Sequence, residues 1–227
     1  MTESGQATAA RERARAREIF DALGAAFPDA RCELDYSNAW QLLIATVLSA
    51  QTTDVRVNQI TKELFAHWPD NAALAHADPH DVAQVVRPLG FGARRAEHIT
   101  TLAAQLAERW DGRVPPDRDA LVALKGVGRK TSHVVLSEAF GIPELAVDTH
   151  VLRTSRRLGL TTADDPLAVE RDLVGQFDRV DLPQLSHRLI FLGRRVCHAR
   201  NPECARCPVV RLCPSAQAKP DPAGARD

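Results

Sequence analysis

Two short runs in this chain carry residue types that can break bonds. Residues 124–131 read LKGVGRKT, and Lys130 stands two places after Gly128. A lysine amine that loses its proton is a nucleophile, a state arginine does not reach. Gly126 and Gly128 can take positive φ and present no side chain to an approaching backbone. A helix starting directly after them would point its first N–H groups at a phosphate. Such an anchor holds a nucleic-acid backbone in register and reads no base. The helix dipole and the like charges of Lys125 and Arg129 both favour a neutral amine at Lys130. A plain helix–helix turn and a phosphate-binding lysine are equally natural readings. Eighteen residues after Lys130, Asp148 stands in AVDTH. It reads as an N-cap for VLRTSRRLGL, or as a carboxylate that stabilises positive charge on a sugar. The two roles are compatible, since a cap fixes the position of its own carboxylate.

Four of the five cysteines fall within 17 residues, as Cys197, Cys204, Cys207 and Cys213, spaced C-x6-C-x2-C-x5-C. Structural zinc usually shows two close pairs, and only Cys204 and Cys207 make one. Four thiolates on short irregular loops suit an iron–sulfur cube, which takes one sulfur ligand at each iron. On spacing alone, zinc and four unrelated thiols stay open. A disulfide framework is not expected in a chain without an export-type leader. Cys32, standing alone, reads as a small buried apolar residue.

The basic residues are skewed. Only Lys62, Lys125, Lys130 and Lys219 are lysines among 29 basic residues, and the rest are arginines. Where arginine serves almost everywhere, a retained lysine points to chemistry arginine cannot do. The 29 acidic residues bring the net charge to zero. The chain is therefore not a broadly basic nucleic-acid binder, and any such surface is local. Arg188, Arg194, Arg195, Arg200, Arg206 and Arg211, set against Glu203, form one candidate stretch, with a solvated charged face as the plain alternative. The 227 residues allow one large domain or two small lobes. No apolar run is long enough for a membrane helix, and the N-terminal run lacks a signal-peptide core, so the cytoplasm is the expected compartment.

Helices must position these groups. Apolar residues recur at spacings of three and four with no clean alternation, which predicts an all-α chain. Residues 1–10 read as a flexible tail and 11–26 as an amphipathic helix. Asn38 is the expected cap of a strongly apolar helix, and Asp54 that of the next. Short helices are expected near 72–76 and 79–86, a loop over 87–92, and a helix over 93–110. Asp117 or Asp119 starts a helix ending near Leu124. After the glycine turn a helix runs to Phe140, where Gly141 and Pro143 stop it. Further helices are expected over 148–159, 165–176 and 183–196, before a disordered tail at 215–227.

Together these pieces resemble the endonuclease III branch of the helix–hairpin–helix DNA glycosylases. The matching runs are LSAQTTDVRVN at 48–58, LGFGARRAEHI at 89–99, LKGVGRKTSHVVL at 124–136, AVDTH at 146–150 and the cysteine loop at 197–213. The resemblance spans residues 15–214 and implies a two-lobed all-α fold with DNA in the cleft between lobes. One lobe would be a six-helix barrel at 32–142 holding the hairpin. The other would join 1–31 to 143–214 and hold a [4Fe–4S] cluster on the four cysteines.

The resemblance further implies a bacterial base excision repair enzyme, a monomer in the cytoplasm or nucleoid. It would remove oxidised pyrimidines from double-stranded DNA and cut abasic sites. Lys130 and Asp148 match the family's catalytic lysine and aspartate. Gln51 and Phe91 fall where the family places residues that fill the gap left by a flipped base. Phe91 departs from the leucine often found there. Gly126, Gly128, Arg129 and His150 are further candidate DNA contacts. Two rivals are a glycosylase of the same superfamily without lyase activity and a non-catalytic DNA-binding iron–sulfur module. The first generally lacks a lysine at the position of Lys130 and carries an extra C-terminal domain. Lys130 and Asp148 together argue against the second.

Overall fold

The structure, a computed structural model, describes residues 3–217. Among them are α-helices, 3₁₀ turns and loops, and no strand, as the apolar spacing predicts. The chain divides into two compact units, Met1–Arg31 with Pro143–Asp227, and Cys32–Ile142. The first unit opens with α1 (Glu3–Ala26). The second holds α2 (Ala39–Leu48), α3 (Asp54–His67), α4 (Asn71–Ala75), α5 (Pro79–Val86), α6 (Gly92–Trp110), α7 (Arg118–Val122) and α8 (Arg129–Phe140). The chain then returns to the first unit with α9 (Thr149–Arg157), α10 (Pro166–Val174) and α11 (Leu182–Arg195).

In the unit Cys32–Ile142, α2 is the central helix. Every residue from Leu42 to Leu48 is buried, which is why its sequence is apolar on all sides rather than striped. Asn38 caps it, its Oδ1 accepting from Gln41 N at 2.9 Å. The helix α8 packs on α2, and α6 packs on α4 and α5. Ile99, Leu102, Ala103 and Leu106 form the buried stripe of α6. Asp117 settles the start of α7, accepting from Ala120 N at 2.8 Å. Gly141 ends α8 in the left-handed region with φ 65°, as the sequence suggests.

In the other unit, Ala16, Ile19, Phe20 and Leu23 give α1 its buried face. The helix α11 packs on both α1 and α9. Arg188 of α11 lies 4.0 Å from the Phe20 ring centroid and donates to Phe20 O at 3.0 Å. Arg15 ties α1 to later chain by donating to Leu158 O, Gly159 O and Leu212 O.

Three local expectations need correction, and a fourth is largely untouched. Residues 3–10 continue α1 rather than forming a flexible tail, because alanine, arginine and glutamate are strong helix formers. Thr53, not Asp54, is the N-cap of α3, and Asp54 occupies the first turn, where a carboxylate favours the helix dipole. The expected loop over 87–92 contains a 3₁₀ turn at Arg87–Leu89, and α6 begins at Gly92. The expected disordered tail is only partly described. Ala216 N donates to Cys213 O at 3.4 Å, and 218–227 lie outside the described residues. No helix among the described residues is long and apolar enough to cross a membrane.

Candidate active site

The glycine hairpin links α7 to α8. Leu124 and Val127 are buried and anchor it, and Val127 N donates to Leu124 O at 3.1 Å. Gly126 has φ 78°, and a Cβ there would approach His98 Nδ1 to 3.1 Å, so both backbone and space call for glycine. Gly128 is extended at φ −101°, so positive φ holds at one of the two glycines and not both. Gly128 is the N-cap of α8, contributes no side-chain acceptor, and faces open space. The first N–H groups of α8 thus begin at a cap that cannot satisfy them. Arg129 is the first residue of α8 and Lys130 the second, and both are exposed. On the hairpin itself, Lys125 N is held by Gln105 Oε1 at 2.8 Å, and Lys125 Nζ stands 3.5 Å from Glu97.

Asp148 is the N-cap of α9 in extended geometry. Its Oδ1 accepts from His150 N and Val151 N, both at 2.8 Å. Both cap bonds use the same carboxylate oxygen, Oδ1. Leu145, Ala146 and Val147 are buried and fix the approach to the cap. His150 is half-buried, with Nδ1 3.2 Å from Arg153 Nη2 and the ring against Gly193 of α11. Burial lowers its imidazole below the usual histidine range, partly opposed by the Asp148 carboxylate and reinforced by Arg153. Its side chain is thus engaged within the protein.

Gln51 and Phe91 share a backbone feature that the sequence does not announce. Both lie in the left-handed region, with φ 58° and φ 53°. A non-glycine residue there costs on the order of 1–3 kcal/mol and persists only where its surroundings over-determine it. Gln51 is exposed, in the turn after α2. Phe91, the N-cap of α6, is 73% exposed. A Cβ on the next residue, Gly92, would meet Ala83 O at 3.0 Å, so glycine permits this close helix entry. Behind both turns lies Arg95, which donates to main-chain carbonyls just before Gln51 and just before Phe91. The sequence reading passed over Arg95, although one signal was present. It occupies the otherwise apolar stripe of α6, four residues before Ile99.

Phe91→Gly is expected to raise Tm by about 2 °C through relief of the left-handed strain. Thermal unfolding reads the effect, and a lowered Tm would contradict the strain account.

The four clustered cysteines are brought together. Cys197, Cys204, Cys207 and Cys213 all line one cavity of about 240 Å³. Two 3₁₀ turns, Cys204–Arg206 and Val210–Leu212, fold the loop around it. Arg157 Nη1 donates to Cys197 Sγ at 3.3 Å, and Cys213 Sγ donates to Arg157 O at 3.2 Å. Burial raises the Cys207 and Cys213 thiols above their usual range, and the neighbouring thiols add to it. Among the described residues, no three His, Cys, Asp or Glu side chains are gathered tightly enough to hold a single metal ion. Cys32 is partly buried, and burial pushes its thiol up to about 11.

Of the arginine stretch, Arg188 turns onto Phe20. Arg195, Arg200, Arg206 and Arg211 are exposed, with Arg195 paired to Asp29 at 3.0 Å and Arg206 to Glu203.

Comparison with known proteins decides the family. Residues 44–178 match the family model described as HhH-GPD superfamily base excision DNA repair protein. The chain is 46% identical to Endonuclease III of Synechocystis sp. over 210 residues, covering 92% of this chain and 96% of that protein. The chain belongs to the endonuclease III family. Endonuclease III of Bacillus subtilis is 43% identical over 198 residues, covering 87% of this chain and 90% of that protein. Among solved structures, a trapped endonuclease III–DNA covalent intermediate aligns with a TM-score of 0.86 at 42% identity, covering 90% of this chain and 96% of that one. The family places this chain among the bifunctional DNA glycosylases and abasic-site lyases of base excision repair.

Proposed function

We propose that the chain removes oxidised pyrimidines from duplex DNA and cuts the abasic site, with Lys130 as nucleophile and Asp148 as its partner carboxylate. The observation that carries this is the exposed lysine at the second position of α8, directly behind the glycine hairpin, in a member of this family. The Lys130 amine attacks the sugar C1′. The bond from C1′ to the base breaks, and the base leaves with the electron pair and takes up a proton. The sugar ring opens to a Schiff base on Lys130. The resulting iminium acidifies the C2′ proton, whose loss expels the 3′ phosphate by β-elimination. The Asp148 carboxylate stabilises the cationic sugar through Oδ2 while Oδ1 stays bound to the start of α9.

The first N–H groups of α8 and Arg129 hold a phosphate, which Gly128 lets approach. Gly126 shapes that approach through the turn. Gln51 and Phe91 occupy the space vacated by the flipped nucleotide. The glutamine offers donors and acceptors to the orphaned base, and the phenylalanine offers a stacking face. His150, two residues after Asp148, is a further contact for the DNA backbone, its ring held between α9 and α11.

The four thiols suit a [4Fe–4S] cluster. They line one shared cavity, and such a cluster takes one thiolate at each iron. Such a group would cross-link the loop 197–213, with Arg157 offsetting its charge. Cys204→Ser is expected to lose absorbance at about 400 nm, lower Tm and expose the loop to protease. Full retention of the absorbance would contradict the ligand assignment.

A duplex panel carrying single oxidised pyrimidines tests the function, scored with and without alkali. Nicks without alkali at oxidised pyrimidines, absent at undamaged ones, are the expected result. Nicks only after alkali would leave base removal without the lyase.

A further inference from the structure

We infer that Arg95 is the positioning residue that ties Gln51 and Phe91 into one rigid two-pronged element, which rests on their assignment to duplex insertion. The Arg95 side chain is buried, at 8% exposure, and its hydrogen-bond partners are main-chain carbonyls. Nη1 donates to Leu48 O and Nη2 to Ala50 O, each at 2.7 Å, which fixes the chain leading into Gln51. Nε donates to Gly90 O at 2.7 Å and Nη2 to Leu89 O at 3.3 Å, which fixes the chain leading into Phe91. Gln51 and Phe91 stand 40 residues apart in sequence, and one planar group spans their two turns.

A guanidinium suits this task because its donors are set in a fixed fork. The separation of the two turns is then governed by the dimensions of a single rigid group. Lysine would place a point charge on a flexible stem and could not meet both turns in one geometry. Removing the fork would leave buried carbonyls unmatched on both sides at once. Gln51 and Phe91 also need such restraint, because each sits in a left-handed conformation that relaxes when its surroundings loosen. Relaxation at either residue would redirect its side chain. With Arg95 in place, the two prongs enter the base stack as a pair. Without it, each turn moves independently and stack opening slows. A nucleotide already outside a stack does not need the prongs, so amine chemistry on it is untouched.

The test compares Arg95→Met and Arg95→Lys with wild type, Gln51→Ala, Phe91→Ala and the double variant Gln51→Ala/Phe91→Ala, all in the full chain. Two substrates are used. One is a duplex with an oxidised pyrimidine beside 2-aminopurine, whose fluorescence reports stack opening. The other is single-stranded DNA with an abasic site, which has no stack to open. Both Arg95 variants are expected to slow opening and excision on the duplex by about tenfold or more. Single-strand cleavage should stay within about twofold of wild type. Arg95→Met added to the double variant should cost less than about twofold further, because the prongs it holds are gone. Arg95→Lys keeps charge and length, and it carries the test if the methionine variant does not fold. Equal losses on both substrates would assign Arg95 to general stability and overturn the inference. So would a full multiplicative loss in the double-variant background. Slow Gln51→Ala and Phe91→Ala beside a fast Arg95→Met would overturn the clamp alone. Wild-type rates in Gln51→Ala and Phe91→Ala would remove the insertion reading and the clamp with it.

Discussion

Lys130→Gln is expected to lower strand cleavage at abasic sites by a factor on the order of 10³ or more. That corresponds to about 4 kcal/mol of lost transition-state stabilisation. The size follows from the kind of step involved. Cleavage by β-elimination needs the iminium, and the iminium needs an amine at this position. Glutamine has similar length and no nucleophilic amine. Lys130 is exposed at the start of α8, so its replacement disturbs no packing and should change stability by no more than about 0.5 kcal/mol. The loss is thus chemical rather than structural. Single-turnover cleavage of an abasic duplex measures it, with thermal unfolding as the control. Retention of more than a tenth of the wild-type rate would remove Lys130 from the nucleophile's role.

Asp148→Asn is expected to lower base excision on the order of 10²- to 10³-fold while leaving Tm nearly unchanged. Asn and Asp are comparable helix caps. The amide oxygen of asparagine can accept from His150 N and Val151 N as Oδ1 does now, so the start of α9 survives. What disappears is the negative charge. Asp148→Ala removes charge and cap together, with about 1 kcal/mol of additional stability lost. The pair of variants therefore separates the two roles of this residue. Equal and small losses of excision in both would mean that Asp148 serves α9 alone.

Much of this was legible in the sequence because local chemistry dictates it. Asn38, Asp117 and Asp148 are short polar side chains placed directly before apolar periodic runs, and each became a cap. The glycine hairpin was legible for the same reason, although only Gly126 takes positive φ. Gly128 reflects the other property of glycine, an empty space beside a helix start. What stayed hidden depends on contacts distant in sequence. The left-handed backbone at Gln51 and Phe91 has no local signature, since neither residue favours it. The carbonyls bound by Arg95 come from two turns that only the folded chain assembles. Composition likewise cannot show that, within the arginine stretch from 188 to 211, Arg188 lies on Phe20 or Arg195 pairs with Asp29. The N-terminal helix was cut short because small residues suggest flexibility, whereas alanine has the best helix propensity of all.

Reduction by borohydride during turnover of an abasic duplex tests the central claim most directly. It converts the Schiff base to a stable amine, and digestion with mass spectrometry then locates the linked residue. The account predicts a covalent protein–DNA adduct whose modified peptide carries the sugar remnant on Lys130, and no adduct with Lys130→Gln. An adduct on Lys62, Lys125 or the N-terminal amine, or no adduct in the wild-type protein, would contradict it.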